Sequence, residues 1–120
     1  MSATKARNVL VVDDEALIAM LIEDMLTDLG CQVVGPAYAL NEAMALAQEA
    51  AIDCAILDLN LDGATTLPVA AVLRGRNIPF AFASGYADPA LASDFKDAPV
   101  LQKPFNGADL AALMRSFAII

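Results

Sequence analysis

Three aspartates fall where short apolar runs end. Asp13 and Asp14 directly follow Val9-Leu10-Val11-Val12, and Asp58 directly follows Ala55-Ile56-Leu57. Two further runs also end in polar groups: Phe80-Ala81-Phe82-Ala83 leads into Ser84-Gly85, and Pro99-Val100-Leu101-Gln102 into Lys103-Pro104. If the runs are buried parallel strands, all these residues sit at carboxyl ends, and the crevice outside those ends is where open parallel sheets bind ligands. Three carboxylates, a hydroxyl and an ammonium would then share one site. The chain has no histidine, which removes the commonest general base and the commonest transition-metal ligand. A metal in such a site should therefore be hard and oxygen-bound.

The elements that would position these groups alternate in period. A strand over roughly Asn8 to Val12 is followed by Leu17, Ile18, Leu21, Ile22, Met25 and Leu26 at helical spacing, with Glu23, Asp24 and Asp28 off that stripe. Gly30 supplies its C-terminal stop. Gln32 to Ala37 reads as a second strand, and Asn41 to Ala50 as a second helix that Asn41 can cap. A third strand, Asp53 to Leu57, leads through the loop Asn60-Leu61-Asp62-Gly63 to a helix around Thr66 to Leu73, with Pro68 in its first turn and Arg74-Gly75 closing it. Phe80 to Ala83 is the fourth strand. A short helix follows, capped by Asp88, started by Pro89 and running to about Lys96. The fifth strand ends at Lys103-Pro104, and a last helix spans Ala108 to Phe117 with Leu110, Leu113, Met114 and Phe117 inward. Repeated βα units with right-handed crossovers predict an α/β fold of the flavodoxin-like (βα)5 type, a parallel sheet of order 2-1-3-4-5 covered on both faces. That order makes the first and third strands neighbours, and with them Asp13, Asp14 and Asp58.

Composition bounds the function. At 120 residues the chain fits a single domain, residues 1–120, able to bury a core without staples. Fifteen acidic against seven basic residues give a net charge of −8, so no basic stripe is available to bind nucleic acid by counterion release. No apolar stretch is long enough to cross a bilayer, and the N-terminal residues lack the apolar segment of a signal peptide. The expected setting is a reducing cytoplasm, away from membranes, with Cys31 and Cys54 as small apolar core residues.

Taken together, Asp13-Asp14-Glu15 after strand one, Asp58 after strand three, Ser84 after strand four and Lys103-Pro104 after strand five closely resemble the receiver domain of two-component response regulators. The resemblance spans nearly the whole chain. It implies a Mg²⁺ site (Mn²⁺ is an alternative), with Asp14 and Asp58 as direct ligands, Asp13 acting through water and Asn60 through its backbone carbonyl. It further implies that Asp58 is the nucleophile that accepts a phosphoryl group from the phosphohistidine of a histidine kinase or a histidine phosphotransfer protein. Lys103 would pair with a phosphoryl oxygen and Ser84 would hydrogen-bond another. In this family the peptide bond before the residue matching Pro104 is cis. The resemblance describes a signalling module, not a turnover enzyme, whose phosphorylated form acts on a downstream protein.

Departures from the pattern bear on readout. The aromatic switch residue of the family usually stands three positions before the lysine, where this chain has Val100. Pro79-Phe80-Ala81-Phe82-Ala83-Ser84-Gly85-Tyr86 with Lys103-Pro104-Phe105 instead resembles the FATGUY subgroup of receivers, with Ser in the usual Thr position. The expected relay then runs through Gly85 and Tyr86 into the short helix around Pro89 to Lys96, and no output domain is expected. Two other classes stay open at this level. Haloacid-dehalogenase phosphatases also use a strand-end Asp with Mg²⁺, but they require Asp-x-Asp, a spacing that Asp13-Asp14 lacks. A degenerate receiver would serve as an interaction module and take up no phosphoryl group.

Overall fold

A computed structural model describes residues 7–61, 63–85, 95 and 97–119. Five strands form one parallel sheet: β1 (Asn8–Val12), β2 (Gln32–Ala37), β3 (Cys54–Asp58), β6 (Phe80–Ser84) and β7 (Val100–Gln102), in the order β2-β1-β3-β6-β7. Setting aside a two-stranded hairpin, β4 (Asn60–Leu61) with β5 (Ala64–Thr65), this is the 2-1-3-4-5 order expected from the sequence. The helices are α1 (Ala16–Asp28), α2 (Leu40–Glu49), α3 (Leu67–Gly75) and α4 (Gly107–Ser116). The short helix expected from Pro89 to Lys96 lies outside the described residues, as does Tyr86. No helix among the described residues is long and apolar enough to cross a membrane.

The core has two layers because side chains alternate across a strand. Leu10, Val12, Leu57, Phe80 and Phe82 pack beneath α2 and α3, whereas Val9, Val11, Ile56, Ala81 and Leu101 pack beneath α1 and α4. Both faces of the sheet are dry, which explains why its strands read as unbroken apolar runs instead of alternating ones. Cys31 and Cys54 are buried as free thiols, and burial above all pushes Cys54 up to about 12.

Several local expectations change. The apolar stripe of α1 is wider than the sheet covers: Ala19, Ile22 and Leu26 are buried, but Leu17 is 69% and Leu21 48% exposed, with Met20 beside them. Asn41 does not cap α2. The helix starts one residue earlier, after Ala39, and Asn41 lies within it, its Oδ1 accepting from the Glu42 N–H at 2.9 Å. Glu42 instead reaches back to accept the Tyr38 N–H at 3.0 Å. α3 runs through Gly75, and the residue that ends it is Asn77 at φ 59, which lets the Ile78 N–H turn back onto the Leu73 carbonyl at 2.9 Å. Asparagine is the residue besides glycine that most readily takes this left-handed position. Gly30, at φ 83, stops α1 as expected. The last helix carries a capping box between Asn106 and Asp109.

Candidate functional site

Register brings the strand ends together. Val12 lies opposite Leu57 across β1 and β3, and Asp58 lies opposite Ala83 across β3 and β6, so Asp13 and Asp58 emerge side by side. Carboxylate oxygens of Asp13, Asp14 and Asp58 all lie within 4.8 Å of one another. At that spacing two unit charges repel by about 3 kcal/mol at an effective dielectric near 20. Lys103 answers part of this charge. Its Nζ is 3.2 Å from Asp13 Oδ2 and 3.6 Å from Asp58 Oδ2.

The three carboxylates have different surroundings. Asp13 is fully buried, accepts the Glu15 N–H on Oδ1 at 2.9 Å and takes Lys103 on its other oxygen. Asp14 is exposed at the rim. Asp58 is nearly enclosed, with 12% of its side chain exposed, and Oδ1 lies 3.4 Å from the Asn60 N–H. Burial drives its pKa up to about 6, and repulsion from Asp13 and Asp14 adds to this, while Lys103 and the Asn60 N–H pull the other way. Burial alone would lower Lys103, but Asp58 and Asp13, with a smaller contribution from Glu15, outweigh it and hold the ammonium above its ordinary value.

The remaining residues singled out in the sequence take these places. Ser84 is buried at the end of β6, its carbonyl accepting the Lys103 N–H at 2.8 Å, which fixes the lysine backbone against the serine strand. Gly85 follows on the surface. The Lys103–Pro104 bond is cis. Val100 is 49% exposed on edge strand β7, opposite Phe82 and away from the carboxylates. Sequence reasoning passed over Thr66 except as a helix start. It is fully buried, and its hydroxyl donates to the Asp58 carbonyl at 2.8 Å. A threonine closing a short loop begun by a strand-end aspartate was the available signal.

Among the described residues, the donor set at the cluster is oxygen throughout and three carboxylates face the Lys103 ammonium, which is the chemistry a hard divalent cation satisfies. The fold and this acidic pocket define a flavodoxin-like α/β domain with a charge cluster at its switch point. Its family follows from sequence: the response regulator receiver domain matches residues 9–115, and the chain belongs to that family. It is 41% identical to SdrG from Sphingomonas melonis Fr1, over 97% of this chain and 99% of that one, with a TM-score of 0.84. A second structure of SdrG, in its BeF3-activated conformation, gives a TM-score of 0.78. The chain is 32% identical over 118 residues to the phyllosphere-induced regulator PhyR of Methylorubrum extorquens, covering 95% of this chain but 44% of PhyR. It therefore spans less than half the length of that relative. The receiver domain of sensor histidine kinase PA1611 from Pseudomonas aeruginosa, with a magnesium ion coordinated in its active site cleft, shares the fold at a TM-score of 0.80 and 23% identity, covering 95% of this chain and 99% of that one.

Proposed function

We propose that the chain, residues 1–120, works as one phosphoryl-accepting receiver domain in which Asp58 is the acceptor. The observation that carries this is the convergence of Asp58 with Lys103 at 3.6 Å and with the carboxylates of Asp13 and Asp14 within 4.8 Å. In the transfer, an Asp58 carboxylate oxygen bonds to phosphorus as the phosphorus–nitrogen bond of a phosphohistidine breaks, leaving a neutral imidazole on the donor once protonated. Asp58 must be ionised to attack, and Lys103 keeps it so by opposing the effect of burial. Lys103 also neutralises a phosphoryl oxygen, and Ser84 donates its hydroxyl to another. Asp14 and Asp58 directly, Asp13 through water and the Asn60 carbonyl would hold Mg²⁺, with Mn²⁺ as substitute. When bound, the ion offsets negative charge on the carboxylates and on the transferring group. The magnesium-bound PA1611 receiver and the BeF3-activated SdrG structure support this reading.

The donor is a histidine kinase or histidine phosphotransfer protein, and it approaches over α1. Leu17, Met20 and Leu21 lie exposed there, next to a cavity of 290 Å³ lined by Ile18, Leu21, Ile22, Met25, Lys103, Pro104 and Phe105. Lys103 belongs to both cavity and cluster, so this apolar surface reaches the acceptor. We place the chain in the cytoplasm, as a signalling module of the FATGUY type acting on a protein target, without direct contact to nucleic acid or membrane and without substrate turnover. Its relay starts at Ser84 and Gly85 and passes to Tyr86, with Val100 in the aromatic position of other receivers and Pro104 fixing Lys103. Treatment with acetyl phosphate and Mg²⁺ tests the core of this: intact mass should rise by one phosphoryl group in the parent and not in Asp58→Asn. Equal labelling of the variant would refute Asp58 as acceptor.

A further inference from the structure

Asp58 ends β3 with a strand partner on one side only. The ladder with β1 stops at Val12 opposite Leu57, whereas the ladder with β6 continues to Asp58 opposite Ala83, and the Leu59 N–H still donates to the Ala83 carbonyl at 3.1 Å. Because successive residues of a strand address opposite neighbours, the Asp58 carbonyl faces the side where β1 has already ended. A buried carbonyl without a donor is costly. Thr66 supplies the donor: its hydroxyl bonds the Asp58 carbonyl at 2.8 Å and approaches the Leu59 carbonyl at 3.4 Å, while its own N–H donates to Leu59 at 2.9 Å.

Position alone would make Thr66 an ordinary helix cap. It stands at the N-cap of α3, yet its side chain makes no capping hydrogen bond. The hydroxyl is turned from the helix toward the acceptor loop, and the side chain is fully buried. We propose that Thr66 is a positioning residue for Asp58, an inference that rests on reading Asp58 as the phosphoryl acceptor. The β6 ladder and the Thr66 hydroxyl hold the peptide unit after Asp58 from two sides, which fixes the backbone from which the carboxylate is aimed at Lys103 and the acidic cluster. Without the hydroxyl, the 58–59 peptide turns to find another donor and carries the carboxylate out of line. Small misplacements of a reacting group are costly in rate, on the order of a hundredfold for about 1 Å.

The test compares Thr66→Val, which keeps volume and loses the hydroxyl, with Thr66→Ser, which keeps the hydroxyl and loses a methyl. Phosphoryl uptake from acetyl phosphate is followed by intact mass at saturating Mg²⁺, with rates normalised to the folded fraction from circular dichroism. Thr66→Val should take up phosphoryl about tenfold more slowly than the parent, and Thr66→Ser should stay within about twofold of it. A merely structural role would order the two by packing and leave the normalised rates alike. Equal rates for Thr66→Val and the parent, or equal slowing in both variants, would overturn the assignment. Should Thr66→Val not fold, Thr66→Cys, a weak donor, takes its place under the same criteria. If the parent itself takes up no phosphoryl group, the reading of Asp58 fails, and the positioning role with it.

Discussion

In the metal-free chain, Asp58→Asn should raise stability at neutral pH, although it removes a partner of Lys103. Asp58 titrates near 6 in the folded state, through burial first and repulsion from Asp13 and Asp14 second, against about 3.9 in an unfolded chain. The folded state thus binds a proton more tightly than the unfolded state. Stability from this group is fully present below about pH 4, is lost as pH rises from about 4 to 6, and the cost is complete above that range. A difference of about two pKa units corresponds to roughly 3 kcal/mol. Only 12% of the Asp58 side chain is exposed, so solvent screening removes little of it. The attraction to Lys103 is already inside this figure, so the neutral amide should gain about 2–3 kcal/mol at pH 7.5. For a domain of this size that is a rise in Tm of about 8–12 °C. Thermal melts followed by circular dichroism in EDTA, from pH 4 to 8, should show coincident curves near pH 4 and a gap that opens up to about pH 6 and then stays constant. An Asn variant melting at or below the parent at pH 7.5, or a gap of full size at pH 4, would refute the electrostatic reasoning.

Lys103→Met should destabilise the metal-free chain by about 3 kcal/mol near neutral pH, since it leaves the fully buried Asp13 carboxylate without its ammonium at 3.2 Å. Denaturant unfolding checks this, and because the folded-state pKa of Lys103 is raised, the parent should keep its advantage up to strongly alkaline pH and lose it only as the lysine deprotonates. Leu21→Glu should cost no more than about 1.5 kcal/mol in stability and leave acetyl phosphate labelling unchanged, because Leu21 is half exposed. Transfer from a phosphorylated histidine-containing donor protein should fall at least about tenfold, and unaltered transfer would remove α1 as the docking face. Gly35→Ala should cost about 2–4 kcal/mol in urea unfolding, because Gly35 sits at φ 94 and an added Cβ would lie 2.7 Å from the Ala37 nitrogen.

What the sequence disclosed follows from which forces are periodic. The four polar strand ends were legible because each follows an apolar run, and a dry two-faced sheet writes such runs without interruption. Helix stops were legible where glycine marks them, as at Gly30, and misplaced where asparagine does the same work, as at Asn77. The β4–β5 hairpin escaped because two-residue strands carry no period. The role of Thr66 escaped because it depends on β1 ending one residue short of Asp58, a property of register between distant segments. The exposed half of α1 looked like core, since periodicity reports where apolar side chains are and not how far the sheet extends to meet them.

Packing and charge oppose each other at this site, and packing prevails. Val12, Leu57 and Phe82 are fully buried just before the polar strand ends, and Leu101 is buried on β7. Each such side chain contributes about 1.5–3 kcal/mol on burial, so together they offset the three pairwise carboxylate repulsions of about 3 kcal/mol each, which Lys103 already reduces. The acidic cluster is thus held together by the sheet and by Lys103. A cation arriving at the cluster would meet charges already assembled and in conflict, and the relief of that conflict is free energy available to move neighbouring structure. The size of the pH-dependent gap between Asp58→Asn and the parent measures how much of it Asp58 holds.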